Sequence, residues 1–252
     1  MLPGYFRKKI LKKTNICFVP TSYNILPKNN HPTLSNFENQ KKICKKFNDI
    51  QEEITFKTYP NLIKLLETKY SKEAVFSFLD FGGDQIDQYF ILKKKFPNIK
   101  YFVFNQKVIN DDFIKLKKLY NFKDLIVINN LKEISLNYFD FVNFGSVLQY
   151  IDNYDIILNE ILLKAKKYIL ISGSHFYNSN STKKKIIVEQ VNLLPKKLYL
   201  FFFNLDFFLE KFKKYGFKVV NNKKNLTHYI DYKNFETINL FDLKYSDIFF
   251  EK

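Results

Sequence analysis

The chain has 252 residues, enough for one large or two small domains with a full core, and 46% of them are hydrophobic. Its formal net charge of +16 favours anionic partners, yet the lysines are spread along most predicted helices and the single arginine is Arg7, so no arginine cluster is available to read phosphates or bases. No nucleic-acid-binding motif, membrane-spanning run or metal-ligand spacing occurs, and the isolated Cys17 and Cys44 exclude a disulfide scaffold and point to a reduced, cytoplasmic protein.

Residues 1–72 read as a basic, mainly helical N-terminal extension or cap outside the sheet. The basic residues Arg7, Lys8, Lys9, Lys12 and Lys13 precede an apolar stretch, 16–19, too short for a signal-peptide core. Pro27, Asn29, Asn30 and Pro32 mark a loop. Ser35 with Glu38 three residues on has the spacing of a capping box, and the helix it starts is expected to run to about Glu53. Pro60 suits the first turn of a second helix carrying Leu62, Ile63, Leu65 and Leu66.

Residues 73–252 form the main domain. The stretch 74–90, AVFSFLDFGGDQIDQYF, combines a strand at 75–79, a sharp turn through Asp80, Phe81, Gly82 and Gly83, and a helix with Ile86, Phe90 and Ile91 on one face. A buried strand, a glycine turn and a helix in that order form the nucleotide-binding corner of an open α/β sheet. Further strands are expected at 100–105, 124–129, 139–145 and 167–172, with helices at 110–120 and 154–166. Such alternation argues for a mostly parallel, Rossmann-like sheet with helices on both faces. Residues 178–185 read as a polar, basic loop, and 186–203 fit either a helix or a buried strand. A helix at 205–215 ends at Gly216. A strand follows at 217–220, then an exposed excursion near 221–225 and Asp231, and a final strand within 235–250. Two strands with no helix between them predict an antiparallel C-terminal edge.

The strings FLDFGG (78–83), DFVNFGSVLQYIDNYDIILNEIL (140–162) and AKKYILIS (165–172) resemble a group of bacterial putative methyltransferases associated with surface-polysaccharide genes, within the class I S-adenosylmethionine-dependent methyltransferases. The resemblance runs from about Pro60 to Phe217, and SVLQY is its most specific part. It implies S-adenosylmethionine as cofactor and a sugar or surface-glycan acceptor. By position it assigns Asp80, Gly82 and Gly83 to the first cofactor turn, Asn105 to the ribose, Asn129 to the adenine amine, and Gly145, Ser146 and Val147 to the methionine portion. Gln149 and Tyr150 fall on the substrate side.

The chain departs from that pattern at three places. Ile86 stands where a further glycine is usual, and a β-branched residue there is expected to hinder backbone approach. Asn105 replaces an acid. Ser172, Gly173, Ser174 and His175 replace an ion-pairing string. These changes leave open a binding or scaffold protein that keeps the fold without catalysis, and the basic balance leaves open an RNA-directed methyltransferase or contact with an anionic membrane.

His175, after the strand ending at 172, is the candidate general base, expected near the pocket mouth on the edge that holds Gly82 and Ser146. Tyr150 is the second catalytic candidate. Asp152 has the placing of a helix cap, Asp84 and Asp87 that of first-turn acids, and His31 and His228 have no partner suggested by the sequence.

Overall fold

The structure is a computed structural model that describes residues 16–28, 35–49, 60–179, 182–191, 198–225, 230–235 and 240–252. Strand β1 (Ile16–Pro20) is followed by helices α1 (Phe37–Asp49) and α2 (Pro60–Lys69). Strand and helix then alternate through β2 (Ser77–Phe81), α3 (Asp87–Lys95), β3 (Lys100–Phe104), α4 (Lys107–Tyr120), β4 (Leu125–Ile128), β5 (Phe139–Gly145), α5 (Tyr154–Lys164) and β6 (Ala165–Asn178). The remainder holds β7 (Lys185–Gln190), β8 (Leu198–Asn204), α6 (Leu205–Lys214), β9 (Lys218–Lys224), β10 (Ile230–Asp231) and β11 (Phe241–Glu251).

The main part of the sheet has the order β4-β3-β2-β5-β6-β11-β9. The first five of these strands pair in parallel, and β11 runs antiparallel to both β6 and β9. All five residues of β2 are buried, as expected of a central strand covered on both faces. One face packs Leu158, Ile161 and Leu162 of α5 and Phe208 and Phe212 of α6. The opposite face packs Cys44 of α1, Leu62 and Leu66 of α2, Leu92 of α3 and Phe113 and Leu116 of α4. Burial pushes the Cys44 thiol up to about 12, so it is an inert core residue.

A second part of the sheet branches from the far end of β6. Strand β5 pairs with β6 as far as Ser172, and β8 pairs with it at Phe176 and Tyr177. Beyond β8 come β7, β1 and β10. This branch has a small core of its own around Phe18, Tyr177, Leu200, Phe202 and Phe235.

Several expectations change here. The N-terminal segment is not wholly outside the sheet, because Phe18, Val19 and Pro20 of β1 pair with Gln190, Glu189 and Val188 of β7. The ambiguous run 186–203 is the antiparallel pair β7 and β8. Most of the expected excursion near 221–225 belongs to β9, held by β11. Strand β2 extends through Asp80 and Phe81, so the turn starts at Gly82. Strand β6 does not stop at Ser172. Gly173 takes φ of +57° where β6 and β11 shift register, and the strand resumes to Asn178.

The helix starts also differ. At α1, Ser35 donates its hydroxyl to Asp112 of α4 at 2.8 Å, and Asp112 also accepts the Asn36 N–H at 2.8 Å, while Glu38 pairs with Lys41 instead of closing a capping box. Asn153, not Asp152, precedes α5, and no side chain caps that helix. The basic residues of 7–13, and His31, Glu53 and His228, lie outside the described residues. Lys185 opens β7 rather than ending a loop, and its ammonium group lies 3.7 Å from the centre of the Phe201 ring. Among the described residues no helix is long and apolar enough to cross a membrane, and no His, Cys, Asp and Glu cluster could hold a metal.

Candidate active site

The parallel strands deliver four loop starts to one edge of the sheet, after Phe81, Phe104, Ile128 and Gly145. Gly82 follows β2 with φ of +79°, and its N–H donates to the Phe104 carbonyl at 2.8 Å. A Cβ at Gly82 would come within 2.5 Å of Val147, and one at Gly83 within 2.1 Å of the Asp80 carboxylate. Both positions therefore require bare backbone. The turn after β2 is thus pressed against the turn after β5, which brings Gly82, Gly83, Gly145, Ser146 and Val147 together.

Asp80 lies underneath this turn rather than in front of it. Its carboxylate accepts from the Tyr101 hydroxyl at 2.6 Å and from the Asn143 amide at 3.2 Å. Desolvation pushes its pKa up to about 6, against the lowering effect of those hydrogen bonds. Asp87 is likewise buried, its carboxyl pushed up by desolvation, and it accepts the Gln88 N–H at 2.8 Å.

Asn105 and Asn129 sit one strand and two strands away. The Asn105 amide donates to the Gly83 carbonyl at 2.8 Å, and its oxygen accepts the Gln106 N–H at 2.7 Å. One amide hydrogen and one lone pair of Asn105 are left over. Asn110, buried on α4, ties the row together: its oxygen accepts the Asn105 N–H at 3.0 Å, and its amide donates to the Ile128 carbonyl at 2.8 Å and to Asn129 at 3.1 Å. Asn129 itself is exposed.

Ile86 does not face this edge. It is fully buried with Leu62, Leu66 and Phe78 in the core under α2, so the expected obstruction of the turn by its side chain is absent. Gln40, from α1, reaches the same turn from outside. Its amide donates to the Asp84 carbonyl at 2.6 Å and its oxygen accepts the Ile86 N–H at 2.8 Å.

On the β5 side, the Ser146 N–H donates to the Ser172 carbonyl at 2.9 Å, and its hydroxyl lies 3.1 Å from that of Tyr245 on β11. Gly173 lies beneath these two hydroxyls; a Cβ there would meet them at 2.1 and 2.4 Å. Gln149 is buried and bonded to β6: it donates to the Gly173 carbonyl at 3.0 Å and accepts from Ser174 at 3.0 Å. Tyr150 is 37% exposed, while its hydroxyl end is desolvated and its pKa is pushed up to about 12 by that desolvation and by the neighbouring Tyr245.

His175 is not at a pocket mouth. It is buried in the continued part of β6, stacked on Phe202 at 4.5 Å between ring centres and edge-on to Phe18 at 4.8 Å. Its Nδ1 lies 3.1 Å from the Tyr232 hydroxyl, and its ring lies 4.8 Å from that of Tyr245. Tyr245 therefore stands between His175 and Ser146. Sequence reading missed Tyr245, Asn110, Asn143 and Gln40. Tyr245, Asn143 and Gln40 act across long separations, and Asn110 lies inside α4, where its sequence position reads only as part of a helix.

The seven-strand order with its reversed C-terminal pair, the two helical layers and the glycine turn at the central strand define the class I methyltransferase fold. Neither a protein-family model nor a curated protein sequence matches the chain. Solved structures do match in fold. The 1,6-didemethyltoxoflavin-N1-methyltransferase of Burkholderia thailandensis, with bound 1,6-didemethyltoxoflavin and S-adenosylhomocysteine, has 13% identity and a TM-score of 0.50 over 93% of this chain and 99% of its own. A putative sarcosine dimethylglycine methyltransferase from Galdieria sulphuraria has 13% identity and a TM-score of 0.53 over 76% of this chain and 82% of its own. The N-terminal domain of EvdMO1, in the presence of S-adenosylhomocysteine and D-fucose, has 9% identity and a TM-score of 0.51 over 88% of this chain and 98% of its own.

Proposed function

We propose that this chain is an S-adenosylmethionine-dependent methyltransferase acting on a sugar or surface-glycan intermediate. The observation that carries the reading is the bare-backbone turn at Gly82 and Gly83, closed on one side by Val147 and braced on the other by Asn105. The glycines let this turn pack against the turn after β5, which sets both along one edge, and the neighbouring amides there offer neutral donors and acceptors to neutral hydroxyls and an adenine edge. The residues present fit the cofactor. Asn129, exposed at the end of β4, would meet the adenine amine. The remaining hydrogen and lone pair of Asn105 would meet the ribose hydroxyls. Residues 145–147 would lie along the methionine portion.

When bound, the cofactor supplies an electrophilic methyl group. The chain must hold an acceptor oxygen or nitrogen in line with it, and the acceptor must lose its proton. Tyr150, with its hydroxyl pushed up to about 12, is protonated at neutral pH and so orients the acceptor rather than deprotonating it. His175 does not reach the acceptor, since its Nδ1 contacts Tyr232 and Tyr245 stands between its ring and Ser146, so alignment of donor and acceptor carries the chemistry and the proton passes to solvent. A polyhydroxylated acceptor suits this group of hydroxyls beside an exposed tyrosine ring, and the EvdMO1 domain of the same fold was crystallised with D-fucose.

One observation favours the second reading, a scaffold without catalysis: the side chain that follows β3, Asn105, is an amide, and it is already bonded to Gly83 and Gln106. The two readings separate in an assay of S-adenosylhomocysteine release over a panel of monosaccharides and nucleotide sugars. Turnover with one of them supports the enzyme. Cofactor binding without release on any acceptor supports the scaffold.

A further inference from the structure

A cavity of about 200 Å³ lies on the α2 side of the sheet, between that helix and the edge formed by β9 and β11. Leu65, Leu170 and Phe249 give it apolar walls. Lys64 on α2 and Lys223 on β9 line it as well, so two cations from separate elements converge on one apolar cleft. Both lysines are exposed, and neither has an ion-pair partner among the described residues.

The acid in the lining is Asp247, and its carboxylate is already engaged. One oxygen accepts the Gly173 N–H at 2.8 Å and the Asn225 amide at 2.7 Å, and the other accepts the Asn61 amide at 2.5 Å. These neutral donors hold the carboxylate in place without cancelling its charge, so the lining carries two cations against one anion and keeps a net positive charge for a ligand. A partly desolvated cleft strengthens a cation's attraction for an anion compared with open surface. The volume is below the roughly 300–1,000 Å³ of pockets for drug-sized ligands, so the ligand is compact.

We infer that this cleft is a second binding site, separate from the glycine-turn edge, for a small aromatic or otherwise apolar acid: an apolar body against Phe249 and Leu65, and a carboxylate or phosphate between Lys64 and Lys223. The inference does not depend on the methyltransferase reading.

Phenyl phosphate, inorganic phosphate and benzyl alcohol, each titrated into the full chain and followed by amide NMR, test it. Phenyl phosphate should give saturable shifts centred on Asn61, Lys64, Asn221 and Lys223, and should bind at least about tenfold more tightly than either fragment, since the ring adds apolar burial to the charge. The Lys64→Glu/Lys223→Glu double variant, altered at exposed positions only, should lose those shifts. S-adenosylhomocysteine should leave the titration unchanged. Equal affinity for phosphate and phenyl phosphate would reduce the effect to general basic charge and overturn the site. So would shifts elsewhere, full binding by the double variant, or displacement by S-adenosylhomocysteine.

Discussion

Gln40 clasps the glycine turn through both ends of its amide, and its oxygen accepts the Ile86 N–H at 2.8 Å. The other end donates to the Asp84 carbonyl at 2.6 Å. Helix α1 is therefore part of the candidate site's scaffolding, not a detached cap. Gln40→Ala should leave the buried Ile86 N–H without an acceptor, at a cost of about 1–3 kcal/mol. Urea unfolding would show that loss. A variant as stable as the parent would mean the clasp contributes nothing.

Asn105 braces the same turn from inside. Asn105→Asp supplies the acid that the ribose position usually carries, but it removes the donor to Gly83 and sets a carboxylate against a carbonyl. The expected outcome is a loss of about 1–3 kcal/mol in stability with no gain in S-adenosylhomocysteine affinity. Calorimetric titration beside thermal melting checks both parts. A tighter complex would show that ribose recognition, and not support of the turn, dominates at this position.

Ile86→Gly should not open a pocket. The side chain is fully buried in the core cluster that includes Leu62, Leu66 and Phe78, so its removal leaves a cavity there. Large-to-small changes of this type cost roughly 2–5 kcal/mol. A lower unfolding midpoint with no increase in cofactor affinity is expected. Tighter binding would restore the idea that Ile86 obstructs the site.

The buried carboxyl of Asp80 sets a pH dependence. Its pKa in the fold is about 6, above the value of roughly 4 of an unfolded aspartate. Between these values the folded state holds the proton more tightly, so stability falls as pH rises through that window and the penalty is complete above it. The gap corresponds to on the order of 2–3 kcal/mol. Asp80→Asn should remove it. Its amide can still accept from Tyr101, and a rotated Asn143 would bring its otherwise unpartnered oxygen to the new N–H group. The stability of the variant relative to the parent should rise from pH 4 to pH 7. A constant difference would place the carboxyl's pKa near its ordinary value.

Much of the main sheet is legible in the sequence because its strands are short apolar runs separated by helices, and both the parallel core and the reversed C-terminal pair follow from that order. The branch is less legible for a physical reason. In 186–203 two apolar runs, 186–188 and 198–203, flank a mixed stretch without a clear period, which fits a buried strand or a helix equally well, and β1 gains its identity from β7, some 170 positions away, and from β10. Gly173 inside an apolar run fits a strand end and a bulge in a continuing strand equally well, and only the pairing of β6 with β8 and β11 beyond it decides between them. At the site, the positions of Gly82, Gly83 and Val147 followed from the motif. The engagement of Asp80, Asn105 and Gln149 by neighbouring groups did not, because a motif fixes position along the chain and not which partner satisfies a side chain.

The central claim is that the edge carrying Gly82, Asn105, Asn129 and Ser146 holds S-adenosylmethionine. Calorimetric titration of the folded chain with S-adenosylhomocysteine tests it most directly, with Gly82→Ala as the comparison, since a Cβ there must displace Val147 and adopt a left-handed backbone. The account predicts saturable one-site binding that the alanine variant weakens by at least about tenfold while circular dichroism shows it folded. No binding by the folded parent protein, or equal binding by the variant, would contradict it.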